Sequence, residues 1–196
     1  VQNPMQWPTR PLRDLGAVVT GNTPSRTNKS NFGGNLEWIK SDNIDPGEIY
    51  VSVAEETLGE VARPKARIVK AGSVLVTCIA GSPNSIGNAA LTDREVSFNQ
   101  QINAFVPTAL ESRYALEHFR IGKVLVQNQS SGGMKGLVSK GRFEQIEFMA
   151  PPMELQHDFA TASQLADEVC GRQAEHLAKL DELFASLQHR AFRGEL

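Results

Sequence analysis

Residues 151–196 read PPMELQHDFATASQLADEVCGRQAEHLAKLDELFASLQHRAFRGEL, and this stretch decides how the chain is organised. After Pro152 it contains no proline, and its only glycines are Gly171 and Gly194. Proline suits the start of a helix and glycine its end, and the residues between are rich in the helix formers Ala, Leu, Glu and Gln. The stretch therefore predicts one helix of about 40 residues, about 60 Å long at 1.5 Å per residue.

The apolar residues of this predicted helix form a stripe that suits packing against another helix. Five of them follow each other in steps of three and four, as in a coiled-coil seam: Leu177, Leu180, Phe184, Leu187 and Ala191. A second row containing Leu165 and Val169 widens the stripe, and two successive steps of four around Gln173 predict a stutter. We expect a second long helix as the partner. A fold-back onto the chain's own domain is the alternative, although such a helix would overhang a small domain.

Composition and charge are those of a globular protein with one domain plus the helix. Hydrophobic residues make up 40% and charged residues 21% of the 196 residues. The net charge is −2, but residues 1–150 carry 16 Lys and Arg against 14 Asp and Glu, whereas residues 151–196 carry 4 against 8. The first part is thus only mildly basic, so affinity for nucleic acid would need partners or a second copy.

The apolar runs, the N-terminal residues and the two cysteines bear on the compartment in which the protein is expected. No apolar run approaches the roughly 18 residues of a membrane span, and residues 1–10 contain no signal-peptide core. Cys78 and Cys170 lie in hydrophobic contexts without a partner at metal-binding spacing. We predict two reduced packing cysteines in a cytoplasmic protein.

Short apolar runs alternate with polar loops along residues 1–150. Strands are predicted at residues 36–39, 49–53 (IYVSV), 73–81 (SVLVTCIAG) and 143–149, with Trp38 and Ile39 entering a core. A short helix is predicted within residues 55–72. A further helix at residues 112–129 should turn Leu116, Phe119, Val124 and Leu125 inward.

Polar residues gather in three loops and at strand ends. Residues 20–35, TGNTPSRTNKSNFGGN, are turn-forming and contain Arg26 and Lys29. A basic run at residues 63–70 is either a solvated connector or a phosphate contact, and both interpretations are open. The adjacent amides Asn99 and Gln100 either read adenine edges or satisfy backbone groups within the fold. A glycine-containing loop with Lys135 and Lys140 is a second region for nucleic-acid contact.

Known catalytic patterns are missing from the sequence. It has no G-x-G-x-x-G, P-loop or G-x-S-x-G motif, and the Pro-Pro pair lacks the flanks of an amino-methyltransferase site. No Glu-x-Lys of a metal-dependent nuclease occurs, and no two of the four histidines are four residues apart. These absences favour a binding module without a catalytic residue, a cofactor or a metal.

The two ends of the predicted helix carry a family resemblance. PPMELQ at residues 151–156 and LFASLQHRAFRGEL at residues 183–196 resemble the conserved helical region of the specificity (S) subunit of Type I restriction–modification systems. In that family a target-recognition domain of about 150 residues precedes each such helix. Residues 21–24, Gly-Asn-Thr-Pro, with Trp38-Ile39 are similar to its G-x-T-P turn and following strand, and Asn99-Gln100 is similar to its recurring Asn-Gln pair.

The resemblance implies both a fold and a function. The fold class is α+β, with a mixed α/β target-recognition domain at residues 1–150 and one long coiled-coil-type helix at residues 151–196 for dimerisation and subunit docking. The function is sequence-specific recognition of a bipartite double-stranded DNA target for methyltransferase and restriction subunits, which carry the chemistry and the cofactors. A typical member has two recognition domains and two helices. This chain has one of each, as either a naturally half-sized subunit or a fragment of a longer one. A homodimer of antiparallel helices would stand in for the second half.

The expected DNA side of the domain comprises seven residues: Arg26, Lys29, Lys40, Asn99, Gln100, Lys135 and Lys140. The cations among them should contact phosphates and the amides should read bases. The rival hypothesis is a structural or interaction module that binds no DNA and uses its helix to recruit a protein. The near-neutral charge is its best support.

Overall fold

A computed structural model of the chain describes residues 2–131 and 136–195. It separates into two compact units, with the division between Gln156 and His157. The first unit is a sheet-rich domain and the second is the remainder of the long helix. The described residues form twelve strands: β1 Thr9–Pro11, β2 Gly16–Thr20, β3 Phe32–Ile39, β4 Thr57–Leu58, β5 Ile68–Val69, β6 Val74–Thr77, β7 Ile79–Ala80, β8 Ala89–Leu91, β9 Val96–Phe98, β10 Ile102–Pro107, β11 Gly136–Leu137 and β12 Glu147–Met149.

Five α-helices and four short 3₁₀ turns accompany these strands within the described ranges. The α-helices are α1 Leu12–Leu15, α2 Ser112–Ile121, α3 Lys123–Gln127, α4 Lys140–Phe143 and α5 Met153–Phe192. The 3₁₀ turns are Lys29–Asn31, Ser41–Asn43, Arg63–Lys65 and Pro83–Ser85. The mixture of sheets with a long C-terminal helix confirms the predicted α+β class.

Two four-stranded sheets make up most of the domain. The first has the order β2-β10-β6-β8 and is antiparallel throughout. The second has the order β4-β3-β9-β5, in which β3 and β9 run parallel and the other pairs antiparallel. Two-stranded pairs β1-β12 and β11-β7 lie beside them.

The core follows from the alternation of side chains along the strands. In β6, Val74 and Val76 join one apolar cluster with Phe105 and Phe119, whereas Leu75 between them joins another with Phe98. Successive side chains point to opposite faces of a strand, so the first sheet is apolar on both faces. One face is covered by α2 and the other by the second sheet, and this explains why residues 74–77 are apolar or buried at every position.

The long helix begins where the prolines end. Helix α5 covers 40 residues, about 60 Å. Gly194 follows its end with φ +73°, a left-handed conformation that glycine adopts without strain. In the first turn the buried amide of Gln156 donates to Pro151 O at 2.8 Å and accepts from Glu111 N at 2.9 Å. These bonds fix the start of the helix to the domain.

The predicted strand at residues 49–53 is wrong. Tyr50 forms one isolated bridge with Leu91, supported by Val51 N donating to Leu91 O at 2.9 Å. The chain then leaves this edge, because Ser52 N donates to Asn43 O at 3.0 Å. A single bridge is too short to count as a strand, although its apolar residues resemble one.

Three smaller expectations also need correction. The short helix expected within residues 55–72 is only a 3₁₀ turn between strands β4 and β5. The strand expected at residues 143–149 is shorter, because helix α4 occupies its beginning and β12 starts at Glu147. Leu116 and Phe119 are buried as predicted, but Val124 is 50% exposed and Leu125 only partly buried, because a break at Gly122 rotates α3 relative to α2.

Candidate nucleic-acid interface

The Gly-Asn-Thr-Pro segment is held tightly against the turn between β9 and β10. Gly21 N donates to Ile102 O at 3.1 Å, and Asn22 N donates to Phe98 O at 3.0 Å. A Cβ on Gly21 would lie 2.1 Å from Asn99 O, closer than any side chain can approach. The turn requires glycine for this reason, and the loop sits in a defined position at this end of the sheet.

Asn22 uses all of its polar groups to bind its surroundings. Its carbonyl oxygen accepts from the indole Nε1 of Trp38 at 3.1 Å. Its side-chain Nδ2 donates to Lys65 O at 2.9 Å, and its Oδ1 accepts from Arg67 N at 3.0 Å. Asn22 therefore ties the buried Trp38 and the basic segment 65–67 to the same loop.

Two of the predicted DNA-contacting cations share one carboxylate. Arg26 donates to Glu56 with both terminal nitrogens, at 2.6 and 3.3 Å, and the Lys40 ammonium donates to the same carboxylate. The Arg26 guanidinium also lies over the rings of Phe32 and Trp38, 4.6 and 5.1 Å from their centroids. Hydrogen bonds from Arg26 and then Lys40 hold the pKa of the Glu56 carboxyl below its usual value. The Glu56 carboxylate therefore offsets one of the two positive charges of Arg26 and Lys40.

The two adjacent amides differ in exposure. Asn99 is buried, and its side chain closes the turn by accepting from Gln101 N at 3.0 Å and donating to Gln101 Oε1 at 2.9 Å. Gln100 is exposed at the tip of the turn, where its Oε1 accepts from the Thr23 hydroxyl. Of the two open interpretations, the backbone-satisfying one describes Asn99. Gln100 keeps an amide available at the surface.

Backbone hydrogen bonds extend this edge toward the second predicted region. Cys78 N and Ile79 N both donate to Gln101 O, at 2.7 and 3.0 Å, and Val138 N donates to Cys78 O at 2.8 Å. Strand β11 pairs with β7 beside them. Hydrogen bonds thus connect four segments side by side, each to the next, although they are far apart in the chain: 21–24, 99–101, 78–80 and 136–138.

The remaining predicted cations are distributed along this edge. Lys29 is exposed in the 3₁₀ turn that follows loop 20–28. Lys140 is exposed at the start of α4, 3.4 Å from Glu144. Lys135 lies outside the described residues. The structure therefore brings Arg26, Lys40, Asn99 and Gln100 together around the loop and places Lys140 two residues beyond the joined segments.

Lys65 and Arg67 are absent from the seven predicted residues, although phosphate contact was left open for their basic run, and the side chain of Asn22 bonds their backbone to the loop. Both are exposed. The basic run at residues 63–70 was visible in the sequence, but its proximity to residues 21–24 was not. The one sequence signal for this proximity was Asn22 itself, because an asparagine side chain can bond two backbone groups at once.

A cleft of about 270 Å³ lies next to Lys40 and has an acidic lining: Asp42, Glu55 and Glu56 contribute carboxylates beside Trp38 and Asn43. An acidic cleft repels phosphate. Within the described parts of the chain, no three His, Cys, Asp or Glu side chains form a group that could hold a metal ion. None of the helices described is both long and apolar enough to cross a membrane.

The predicted seam of α5 is exposed. Leu177, Leu180 and Phe184 are 60%, 61% and 62% exposed, and Leu187 is 39% exposed. Ala191 is exposed too, as are Leu165 and Val169 of the second row and the nearby Leu183. The helix therefore presents an apolar face along residues 165–191.

Comparisons with known proteins agree with this architecture. The chain is 28% identical over 163 residues to the HindI specificity subunit of a Type I restriction enzyme from Haemophilus influenzae, covering 80% of this chain and 34% of that protein. It is 25% identical over 197 residues to the MjaIX specificity subunit from Methanocaldococcus jannaschii, covering 97% of this chain and 44% of that protein. The chain thus spans less than half the length of these curated relatives.

Solved structures show the same fold. An HsdS subunit from Thermoanaerobacter tengcongensis matches all of this chain and 47% of its own with a TM-score of 0.67 at 16% identity. A Type I restriction–modification S subunit from M. genitalium matches 86% of this chain and 41% of its own with a TM-score of 0.57 at 15% identity. A family model described as the Type I restriction modification DNA specificity domain matches residues 4–167. Since this match spans more than half of the sequence, the chain belongs to the family of Type I restriction modification DNA specificity domains.

Proposed function

We propose that this chain recognises a specific DNA sequence on behalf of a Type I restriction–modification complex. The observation that carries the proposal is the family match over residues 4–167, which includes every strand described in the sheet-rich domain. The edge built from residues 21–24 and 99–101 supports it, because exposed amide, hydroxyl and cationic groups meet there on a rigid scaffold.

Within this proposal the seven predicted residues have three different roles: base reading, shaping of the turn and phosphate contact. Gln100 is the leading base reader, because its amide is exposed and the Thr23 hydroxyl orients it. Asn99 shapes the turn that presents it. Lys29, Lys140 and Lys135 contact phosphates, the last of these on sequence grounds alone. Arg26 and Lys40 face the DNA as a cluster whose charge Glu56 partly offsets.

The long helix completes the proposed assembly. Its exposed seam pairs with a second copy in antiparallel orientation, and the pair docks methyltransferase and, through the complex, restriction subunits. The chain itself contributes recognition and no catalysis. Burying a Leu or Phe side chain is worth roughly 1.5–3 kcal/mol, so four seam residues from each copy provide ample driving force.

A homodimer of this kind has a consequence for the target. Two identical recognition domains related by a two-fold axis read two identical half-sites in inverted order. The target is then an interrupted palindrome whose spacer depends on helix length. Four residues added near Gln173 lengthen the helix by about 6 Å, close to two base pairs at about 3.4 Å each.

The experiment is methylome sequencing of cells that carry this chain with its methyltransferase subunit. A single interrupted palindrome is the expected result, and Gln100→Ala should relax one base position while Lys29→Ala leaves the sequence preference unchanged. Gel shifts of the chain with mixed DNA, alone and with the methyltransferase subunit, complete the test. Absence of both methylation and DNA binding would instead support the interaction-module hypothesis.

A further inference from the structure

We infer that Lys65 and Arg67 are two further phosphate contacts and that Asn22 is the residue that positions them. The inference rests on the proposed DNA recognition and adds a segment, residues 65–67, to its interface. It also assigns a role to the asparagine of the Gly-Asn-Thr-Pro turn.

Asn22 binds this segment as a neighbouring strand would. Its Nδ2 donates to Lys65 O at 2.9 Å and its Oδ1 accepts from Arg67 N at 3.0 Å, so one side-chain amide pairs with two backbone groups on either side of Ala66. With both bonds made, the segment has little freedom to move relative to loop 21–24. The same loop contacts the β9–β10 turn through Asn22 N and Phe98 O. Residues 65–67 therefore lie beside the turn that presents Gln100.

The charges of the segment are available, in contrast to those of its neighbours. Lys65 and Arg67 are exposed, and in the described parts of the chain neither side chain has an acidic partner within ion-pair distance. Arg63, two residues earlier, lies 2.5 Å from Glu95. Arg26 and Lys40 share Glu56. An unpaired surface cation binds phosphate without first breaking an ion pair, so Lys65 and Arg67 are better suited to this contact than the two clustered cations.

The position of β5 supplies a matched control. Ile68 and Val69 pair antiparallel with Ser97 and Val96, so Arg67 adjoins the Phe98 end of β9, next to the turn. Lys70 stands at the other end of β5, about 10 Å farther along the strand. Its carbonyl accepts from the hydroxyls of Ser73 and Thr92 there. Lys70 is thus an exposed cation of the same basic run, but it lies at the end of β5 that is farther from the loop.

The test measures how binding depends on salt. The probe is a mixed-sequence duplex of about 30 base pairs, titrated with the full chain between about 50 and 200 mM salt, because phosphate contacts are independent of sequence. Lys65→Ala and Arg67→Ala should each weaken binding several-fold and reduce the slope of log affinity against log salt by about 0.9 for each bound copy. Lys70→Ala should leave the slope unchanged.

A second measurement separates positioning from general folding. Asn22→Ala should weaken DNA binding in the wild-type background but change it little in a Lys65→Ala, Arg67→Ala background, since its effect acts through those cations. Asn28→Ala is the control, because Asn28 lies in the same loop and its side chain caps the 3₁₀ turn of Lys29 through Ser30 N, so any loss that it causes should be equal in the two backgrounds. Equal losses in both backgrounds would mean that Asn22 supports the fold alone.

The outcomes distinguish this inference from the proposed function. If the wild-type chain binds DNA with a measurable salt slope and the Lys65 and Arg67 variants keep that slope, the inference is overturned while DNA recognition stands. The same conclusion follows if Lys70→Ala lowers the slope as much as they do. If the wild-type chain shows no salt-dependent binding with or without its methyltransferase subunit, both are overturned.

Discussion

The domain of this chain buries most of its large apolar residues, whereas the long helix exposes them. Within the described part of residues 2–156, most large apolar side chains pack into buried clusters, and Phe98, Phe105, Phe119, Phe143 and Phe148 are fully buried. In residues 157–192 the large apolar side chains are exposed, including Leu177 and Phe184 at 60% and 62%. The domain buries most of its large apolar side chains within one copy, whereas the helix leaves two apolar segments exposed, on either side of Gln173.

This difference shows that the two regions are stabilised by burial against different surfaces. Burial of apolar surface contributes about 25 cal/mol per Å², and the domain gains it within a single copy. A surface helix with an unburied apolar stripe gains it only from a partner. Substitutions in the domain should therefore change the free energy of unfolding of one chain, and substitutions in the helix should change association.

The largest expected effect is loss of the proposed homodimer in Leu180→Glu with Leu187→Glu. Each substitution places a charge in the seam of both copies, where it costs several kcal/mol without a partner. Light scattering at micromolar concentration should give twice 21.4 kDa for the wild-type chain and 21.4 kDa for the variant. Ala178→Glu with His189→Glu adds the same residues to the opposite side of the helix and should keep the dimer. A wild-type chain that is already monomeric contradicts the seam.

The next effect is a pH dependence that belongs to the domain. His118 is buried and stacked on Phe148, with its Nε2 accepting from Met149 N at 3.1 Å. Burial lowers the pKa of His118 to about 4, from 6.5. The unfolded chain therefore takes up a proton first as pH falls, and stability is lost between pH 6.5 and 4 and is unchanged by this group above 6.5. The loss should approach roughly 3 kcal/mol.

Urea unfolding at several pH values measures this loss. His118→Gln is the matched variant, because a glutamine oxygen can still accept from Met149 N but does not titrate. Its stability should fall less than that of the wild-type chain between pH 6.5 and 4. Parallel curves for the two proteins would show that His118 takes no part.

A substitution of Gly21 probes close packing in the domain. The added methyl of Gly21→Ala would lie 2.1 Å from Asn99 O and 2.5 Å from Phe98 O, both backbone atoms that can move only with the turn. We expect a loss of about 2–3 kcal/mol in the free energy of unfolding. A melting temperature equal to that of the wild-type chain would mean that the turn is less tightly held than its hydrogen bonds indicate.

The smallest expected effect comes from Gly171→Ala in the helix, the same type of substitution as Gly21→Ala in the domain. Gly171 has open space around it, with nothing within 4 Å of an added Cβ. Gly171→Ala should stabilise the helix by about 1 kcal/mol, because alanine has the higher helix propensity. The helical signal in circular dichroism should persist to higher temperature. A loss of stability would show that residue 171 contacts a partner closely.

Sequence alone determined the features that depend on local periodicity. The run of helix formers after Pro152 and the glycine at 194 predicted α5, and its seam followed from steps of three and four. The buried strand at residues 73–81 was visible from its apolar composition, although the structure divides it at Cys78 into β6 and β7. The segment at 49–53 failed because an apolar run that makes one bridge resembles one that makes a full strand.

Only the tertiary structure decided which polar residues are available at the surface. Arg26 and Lys40 look like free loop cations in the sequence, but Glu56 lies 30 and 16 residues from them and pairs with both. Asn99 and Gln100 are neighbours of the same type, yet one is buried in a turn and the other exposed. Lys65 and Arg67 reach the loop through Asn22, more than 40 residues away. Burial and ion pairing arise from contacts between distant segments, which no local pattern encodes.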